Sequence, residues 1–109
     1  MSAADHMARR INLSVRALQD GVQPNSLASW YLLILSQARR MAPPWLADKI
    51  NVIQDPILPM RFKLDISRRA IKYFVMALDS NIDLMPQSTK MYFLRVQESL
   101  EAEVDSSLV

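Results

Sequence analysis

Met60-Arg61-Phe62-Lys63-Leu64-Asp65-Ile66 alternates apolar and charged side chains along its whole length. That is the two-residue period of a strand with one face in a core. The reading of the fold turns on whether this strand has anything to pair with. The segments on either side read as helices, so no partner is found for it within the chain. A strand alone is either an extended arm or an edge that pairs with another molecule. The arm is the preferred reading.

Upstream, Asp55-Pro56-Ile57-Leu58-Pro59 is a rigid apolar connector, because its prolines favour an extended path. Residues 44–54 before it read as a short helix with Pro44 in the first turn, where a missing N–H does no harm. Pro43 and Pro44 stop a longer helix over 27–40. Its residues Leu27, Trp30, Tyr31, Leu32, Leu33, Ile34, Leu35 and Ala38 leave Ser29, Ser36 and Arg40 as one polar line. A helix apolar nearly all round belongs buried on most sides, so it is taken as the centre of the fold. Over 4–20, a helical wheel puts Ala4, Met7, Ala8, Ile11, Val15 and Leu18 on one face. Gly21 then suits the left-handed position after a helix.

Downstream, 66–80 reads as a helix capped by Asp65 or Ser67, with Asn81 as its left-handed stop. A last helix starts near Ser88, lines Phe93, Val96 and Leu100 inward, and frays into the acidic end 96–109. A weak internal repeat links the two halves: Ala8-Arg9-Arg10 with Ser67-Arg68-Arg69, and Pro24-Asn25-Ser26 with Pro86-Gln87-Ser88. The expectation is a single all-α domain over 1–109. It is a compact bundle of about five helices, two αα-hairpins joined by a short helix and a Pro-rich extended connector.

Composition narrows the function classes. The chain has 109 residues, half of them apolar and 22% charged, which is the balance of one globular domain. It has no cysteine, which excludes disulfides, thiolate nucleophiles and Cys-based zinc sites. It has one histidine, His6, and one glycine, so neither a His-pair metal site nor a Gly-rich phosphate loop can be built. The longest apolar run, Trp30 to Leu35, is far short of the ~20 residues a membrane span needs. Residues 1–10 lack the apolar stretch of a secretory signal. A soluble, cytoplasmic protein is expected.

No catalytic constellation emerges. Asp48, Asp55, Asp65, Asp79 and Asp83 lie near predicted helix ends, where carboxylates cap or face solvent. Asp79, Asn81 and Asp83 imitate the first ligands of a calcium loop, but Leu84 stands where its glycine should be and Lys90 where its bidentate Glu should be. No catalytic, metal or cofactor residue is assigned, and an enzyme is not expected.

Charge is unevenly placed. Residues 1–95 hold all 13 Lys and Arg, whereas Glu98, Glu101, Glu103 and Asp105 follow with no basic residue among them. Arg39-Arg40 close a helix, where the dipole favours cations. Arg68-Arg69 open one, where cations are disfavoured by ~0.3–1 kcal/mol. Lys72, four residues after Arg68, adds a like-charge pair. Such a local conflict suggests an anion-facing surface or neutralisation by the chain's own Glu98, Glu101 or Glu103. Trp45, following two prolines, is either a core lid beside Trp30 or an exposed anchor for a partner. Arg68, Arg69, Lys72, Lys90 and Trp45 are therefore the candidate partner- or anion-binding residues. The first expectation is a non-enzymatic protein-interaction module: an adaptor, a regulator or a small subunit of a larger complex. Its partner is another protein or a second copy of the chain. The alternative is a nucleic-acid-binding regulator, using the basic stripe and the start of the last helix as a helix-turn-helix reader.

Overall fold

A computed structural model describes residues 10–16 and 22–107. It is mostly helical, but it is not an all-α bundle: an antiparallel sheet runs through it. In chain order the elements are β1 (Arg10–Arg16), α1 (Pro24–Met41), α2 (Pro44–Ala47), β2 (Ile50–Gln54), β3 (Arg61–Ser67), α3 (Ile71–Ile82) and α4 (Gln87–Ser107). A 3-10 turn, Arg68–Ala70, leads from β3 into α3.

The alternating stretch is the central strand, neither an arm nor an edge. The sheet order is β1-β3-β2, with both neighbours antiparallel to β3. Both partners lie in segments expected to be helical. Arg10-Ile11-Asn12-Leu13-Ser14-Val15-Arg16 satisfies a strand period as fully as β3 does, and its register sets Ile11, Leu13 and Val15 opposite Ile66, Leu64 and Phe62. Ile11 and Val15 also fit a helical wheel, so period alone could not decide. Over 44–54 the helix stops at Ala47, and the β-branched Ile50, Val52 and Ile53 go into β2. The segment 55–60 closes a β2–β3 hairpin. In it the Asp55 carboxylate accepts the N–H groups of Ile57 (2.8 Å) and Leu58 (2.9 Å), a side-chain turn of the kind Asp favours. The remainder of the expected first helix, with Gly21, falls outside the described residues.

Since β1 is a strand where α3 is a helix, the two halves are not repeats and there are not two αα-hairpins. Among the described residues, the long αα-hairpin is α3–α4, joined through 83–86. That connector is shorter than the sequence reading allowed, because α3 continues through Asn81 to Ile82. Asn81 is not a left-handed stop. It is buried inside α3, where its Nδ2 donates to Gln37 Oε1 on α1 and to the Ala77 carbonyl, both at 2.7 Å.

One face of the sheet carries the core. Phe62, Leu64, Ile66 and Ile50 are buried with Leu27, Tyr31, Ile34 and Ala38 of α1, Phe74 and Leu78 of α3, and Tyr92, Phe93 and Val96 of α4. Tyr31 is the hub. Its ring stacks on Phe62 (centroids 4.8 Å, interplanar angle 28°) and meets Tyr92 and Phe93 edge-on, geometries that aromatic quadrupoles favour. The helix expected to be buried on most sides is not. The sheet covers one flank of α1 and α3 another, while Leu32 stays 67% exposed and Leu33 is also exposed.

Candidate interaction surface

The ladder shows which backbone groups of β2 are free. Asp55 donates its N–H to the Arg61 carbonyl at 2.8 Å, and Lys49 accepts the Ser67 N–H at 3.0 Å. In an antiparallel ladder the main-chain groups of successive residues point to opposite sides. Lys49, Asn51, Ile53 and Asp55 therefore turn theirs toward β3, and Ile50, Val52 and Gln54 turn theirs toward the outer edge. No strand among the described residues lies on that edge. Arg39 confirms the geometry at one end: its guanidinium reaches from α1 and donates to the Ile50 carbonyl through Nε (3.1 Å) and Nη2 (2.8 Å). Nη2 also donates to Asn51 Oδ1 at 2.9 Å. Among the described residues, the main-chain groups of Val52 and Gln54 meet no partner.

Both faces beside this edge are recessed. On the core side, a recess of about 130 Å³ lies between α1 and β2, lined by Ala28, Tyr31, Leu32, Val52, Gln54 and Phe62. Its aromatic lining is fixed from behind, where the Tyr31 hydroxyl hydrogen-bonds the Tyr92 hydroxyl at 2.6 Å. Burial pushes the Tyr92 phenol up to about 12 and raises Tyr31 well above its ordinary value, so both stay protonated near neutrality. On the opposite side, a recess of about 380 Å³ is lined by Ile53, Asp55, Pro56, Arg61 and Lys63. Backbone donation, from Leu58 first and then Ile57, holds the Asp55 carboxyl below the usual range, so it stays ionised there. Ile53 is exposed, and Ile57 at the hairpin tip is 83% exposed.

Apart from Arg39 over the Ile50 carbonyl, the edge itself has few of the devices that normally keep strands from pairing. Ile50-Asn51-Val52-Ile53-Gln54 contains no charge and no proline. None of these residues was picked out from the sequence. The signal was present, as a β-branched run before a Pro-flanked turn and an alternating strand, which reads as a hairpin.

The residues that were picked out from the sequence fall into separate places. Arg68 meets Glu103 of α4, donating to its main-chain carbonyl at 2.7 Å and to its carboxylate at 3.1 Å. Of the three cations in conflict at the start of α3, Arg68 is thus neutralised by one of the C-terminal glutamates. Lys90 pairs with Asp83 at 3.1 Å. Lys72 lies with its ammonium 5.1 Å from the centre of the Tyr73 ring. Arg69 and Trp45 are brought together, the guanidinium 4.7 Å above the indole, and Trp45 is 52% exposed. At the start of α4, Thr89 is buried and Tyr92 and Phe93 are in the core, so that turn presents little to a groove. Among the described residues, no group of three or more His, Cys, Asp or Glu could hold a metal ion. No described helix is long and apolar enough to cross a membrane.

Comparison with protein-family models, with characterised proteins and with solved structures finds no match.

Proposed function

We propose that this protein is a non-enzymatic interaction module, an adaptor or small subunit working in the cytoplasm, that takes an extended protein segment alongside β2. The observation that supports it is the open edge at Val52 and Gln54 with a recess on each face. An added strand gains main-chain hydrogen bonds from such an edge, and its alternating side chains enter the two recesses in turn. One recess is aromatic and suits an aliphatic residue. The other mixes Ile53 with Arg61, Lys63 and Asp55 and suits a polar or charged one. The Trp45–Arg69 pair offers a further contact, of the residue types that anchor interfaces. The nucleic-acid reading draws less support, since Arg68 and Lys90 are held by Glu103 and Asp83.

The test is selection of peptides from a random displayed library, repeated on Val52→Pro. The Val52 N–H points away from β3, so proline there removes no ladder bond and leaves the fold standing while blocking an added strand. Peptides that alternate apolar and polar residues, and that lose binding to Val52→Pro, are expected. Selected peptides that bind both proteins equally overturn the reading.

A further inference from the structure

The sequence of the β2 edge is self-complementary. We infer that its occupant is a second copy of this chain, paired antiparallel about a two-fold axis through Val52. This rests on the reading of β2 as a docking edge and names the partner. With Val52 opposite Val52 of the second copy, Ile50 falls opposite Gln54, Asn51 opposite Ile53, and Lys49 opposite Asp55. Opposed residues in an antiparallel pair share a face, so a cation meets a carboxylate at each end of the new ladder, twice by symmetry. Lys49 is exposed, and the Asp55 carboxyl is held ionised by its turn. Between these charged ends the strand is neutral, so no like charges are opposed.

Main-chain geometry agrees with this register. Val52 directs its N–H and C=O outward, which lets the two Val52 residues exchange both hydrogen bonds. Ile50 and Gln54 have the same parity, so they are the next hydrogen-bonded pairs. The Ile50 carbonyl accepts both Arg39 Nε and Nη2 in the single chain, so this end pair forms only as the Arg39 side chain swings off the edge. On the core side, the recess that holds Val52 also holds Ala28 and Leu32 of α1. Two-fold pairing brings the two copies of this wall toward each other and covers Leu32. The product is a six-stranded sheet from two three-stranded ones, with an isologous contact that closes on itself.

Light scattering coupled to size exclusion, with sedimentation over a range from micromolar to sub-millimolar, measures the mass. A dimer is expected for the native chain and its loss for Val52→Pro. Lys49→Gln and Asp55→Asn should each weaken it severalfold, and added salt should weaken it further. Asparagine keeps the acceptor for the 57 and 58 N–H groups, so that variant removes charge without removing the turn. Register is read by cross-linking, since the chain has no cysteine of its own. Asn51 and Ile53 of the two copies oppose each other as a non-hydrogen-bonded pair, whose Cα atoms lie about 4.5 Å apart with side chains close, within the ~4.4–6.8 Å a disulfide spans. A mixture of Asn51→Cys and Ile53→Cys chains should oxidise to the mixed covalent dimer, and Lys49→Cys alone should not. A monomer at every concentration overturns the inference, as does a dimer indifferent to Val52→Pro. If the chain is monomeric but selected peptides still require Val52, the docking edge stands and the second copy is excluded. If peptides also ignore Val52→Pro, both fall.

Discussion

The two faces of β3 are built to different standards. Phe62, Leu64 and Ile66 are sealed against α1, α3 and α4, whereas Lys63 is exposed and Arg61 and Asp65 are half-buried on the other side. The same contrast extends across the hairpin: Ile50 is buried under Arg39, while Val52 is half-buried and Gln54 exposed on an edge with no partner strand among the described residues. Apolar burial on one face holds the sheet, and the proposed association draws on the β2 edge instead. A neutral edge left open contributes little to folding and invites pairing.

The largest effects should separate the two faces directly. Leu64→Ala or Phe62→Ala is expected to cost about 2–5 kcal/mol, from lost transfer energy and the cavity left behind. Lys63→Ala, between them on the other face, should fall within about 0.5 kcal/mol of the native chain. Urea denaturation of the three variants measures this. Equal losses at Lys63 and Leu64 would mean that the outer face is also packed, and the contrast would fail.

The buried tyrosine pair sharpens the description of the core side. Tyr92→Phe leaves the fully buried Tyr31 hydroxyl without its partner, at an expected cost of about 1–3 kcal/mol. Replacing both tyrosines with phenylalanine removes the stranded group as well as the bond, so the double variant should lose less than the sum of the single changes. A double-mutant cycle by denaturation tests it, and simple additivity would show that the hydroxyls do not act as a unit.

The same pair sets a pH dependence. In the unfolded chain a phenol loses its proton near pH 10, while in the fold burial holds Tyr92 to about 12 and Tyr31 above its ordinary value. The native state then binds more protons than the unfolded state above pH 10, so stability must fall as pH rises. Their contribution is complete below pH 10 and is lost progressively from there through about 12. The double phenylalanine variant should show a flatter alkaline limb in denaturation midpoints. An unchanged limb would place the alkaline sensitivity elsewhere.

The comparison of faces also explains what could be read from the sequence. Helices α1, α3 and α4 are long enough for apolar periodicity to average over several turns, and their existence was legible within a few residues. The strand β3 was legible too, because Arg61, Lys63 and Asp65 alternate sharply with apolar neighbours. What failed was pairing, which is not local. Ile11 and Val15 lie four apart, which a helix and a strand both permit, and the β-branched run of β2 followed a proline-started turn that is helical for one turn only. Once those two segments were assigned to helices, the correct strand had no partners. The candidate site followed the same rule. Electrostatics flagged Arg68 but left a partner surface and the C-terminal glutamates as alternatives, whereas Val52 and Gln54 carry no conspicuous chemistry. Their interest lies in backbone groups, which only the ladder reveals.

The smallest expected effects lie among the basic residues and decide which of them serve the fold. Arg68 is 11% exposed in its side chain and joins the turn after β3 to α4 through two acceptors of Glu103. Arg68→Gln should therefore cost about 1–2 kcal/mol, the upper range for a charged hydrogen bond being tempered because the Glu103 side chain is 38% exposed. Lys90→Gln breaks a pair whose acid side chain is 84% exposed, and such pairs contribute about 0–1 kcal/mol. Moderate salt should narrow the Lys90 difference to nothing and leave most of the Arg68 difference, because screening acts on exposed charges more than on buried hydrogen bonds. Denaturation at two salt concentrations separates them. If Lys90→Gln proved as costly as Arg68→Gln, the Asp83–Lys90 corner would have to be counted with the core side, despite its exposure.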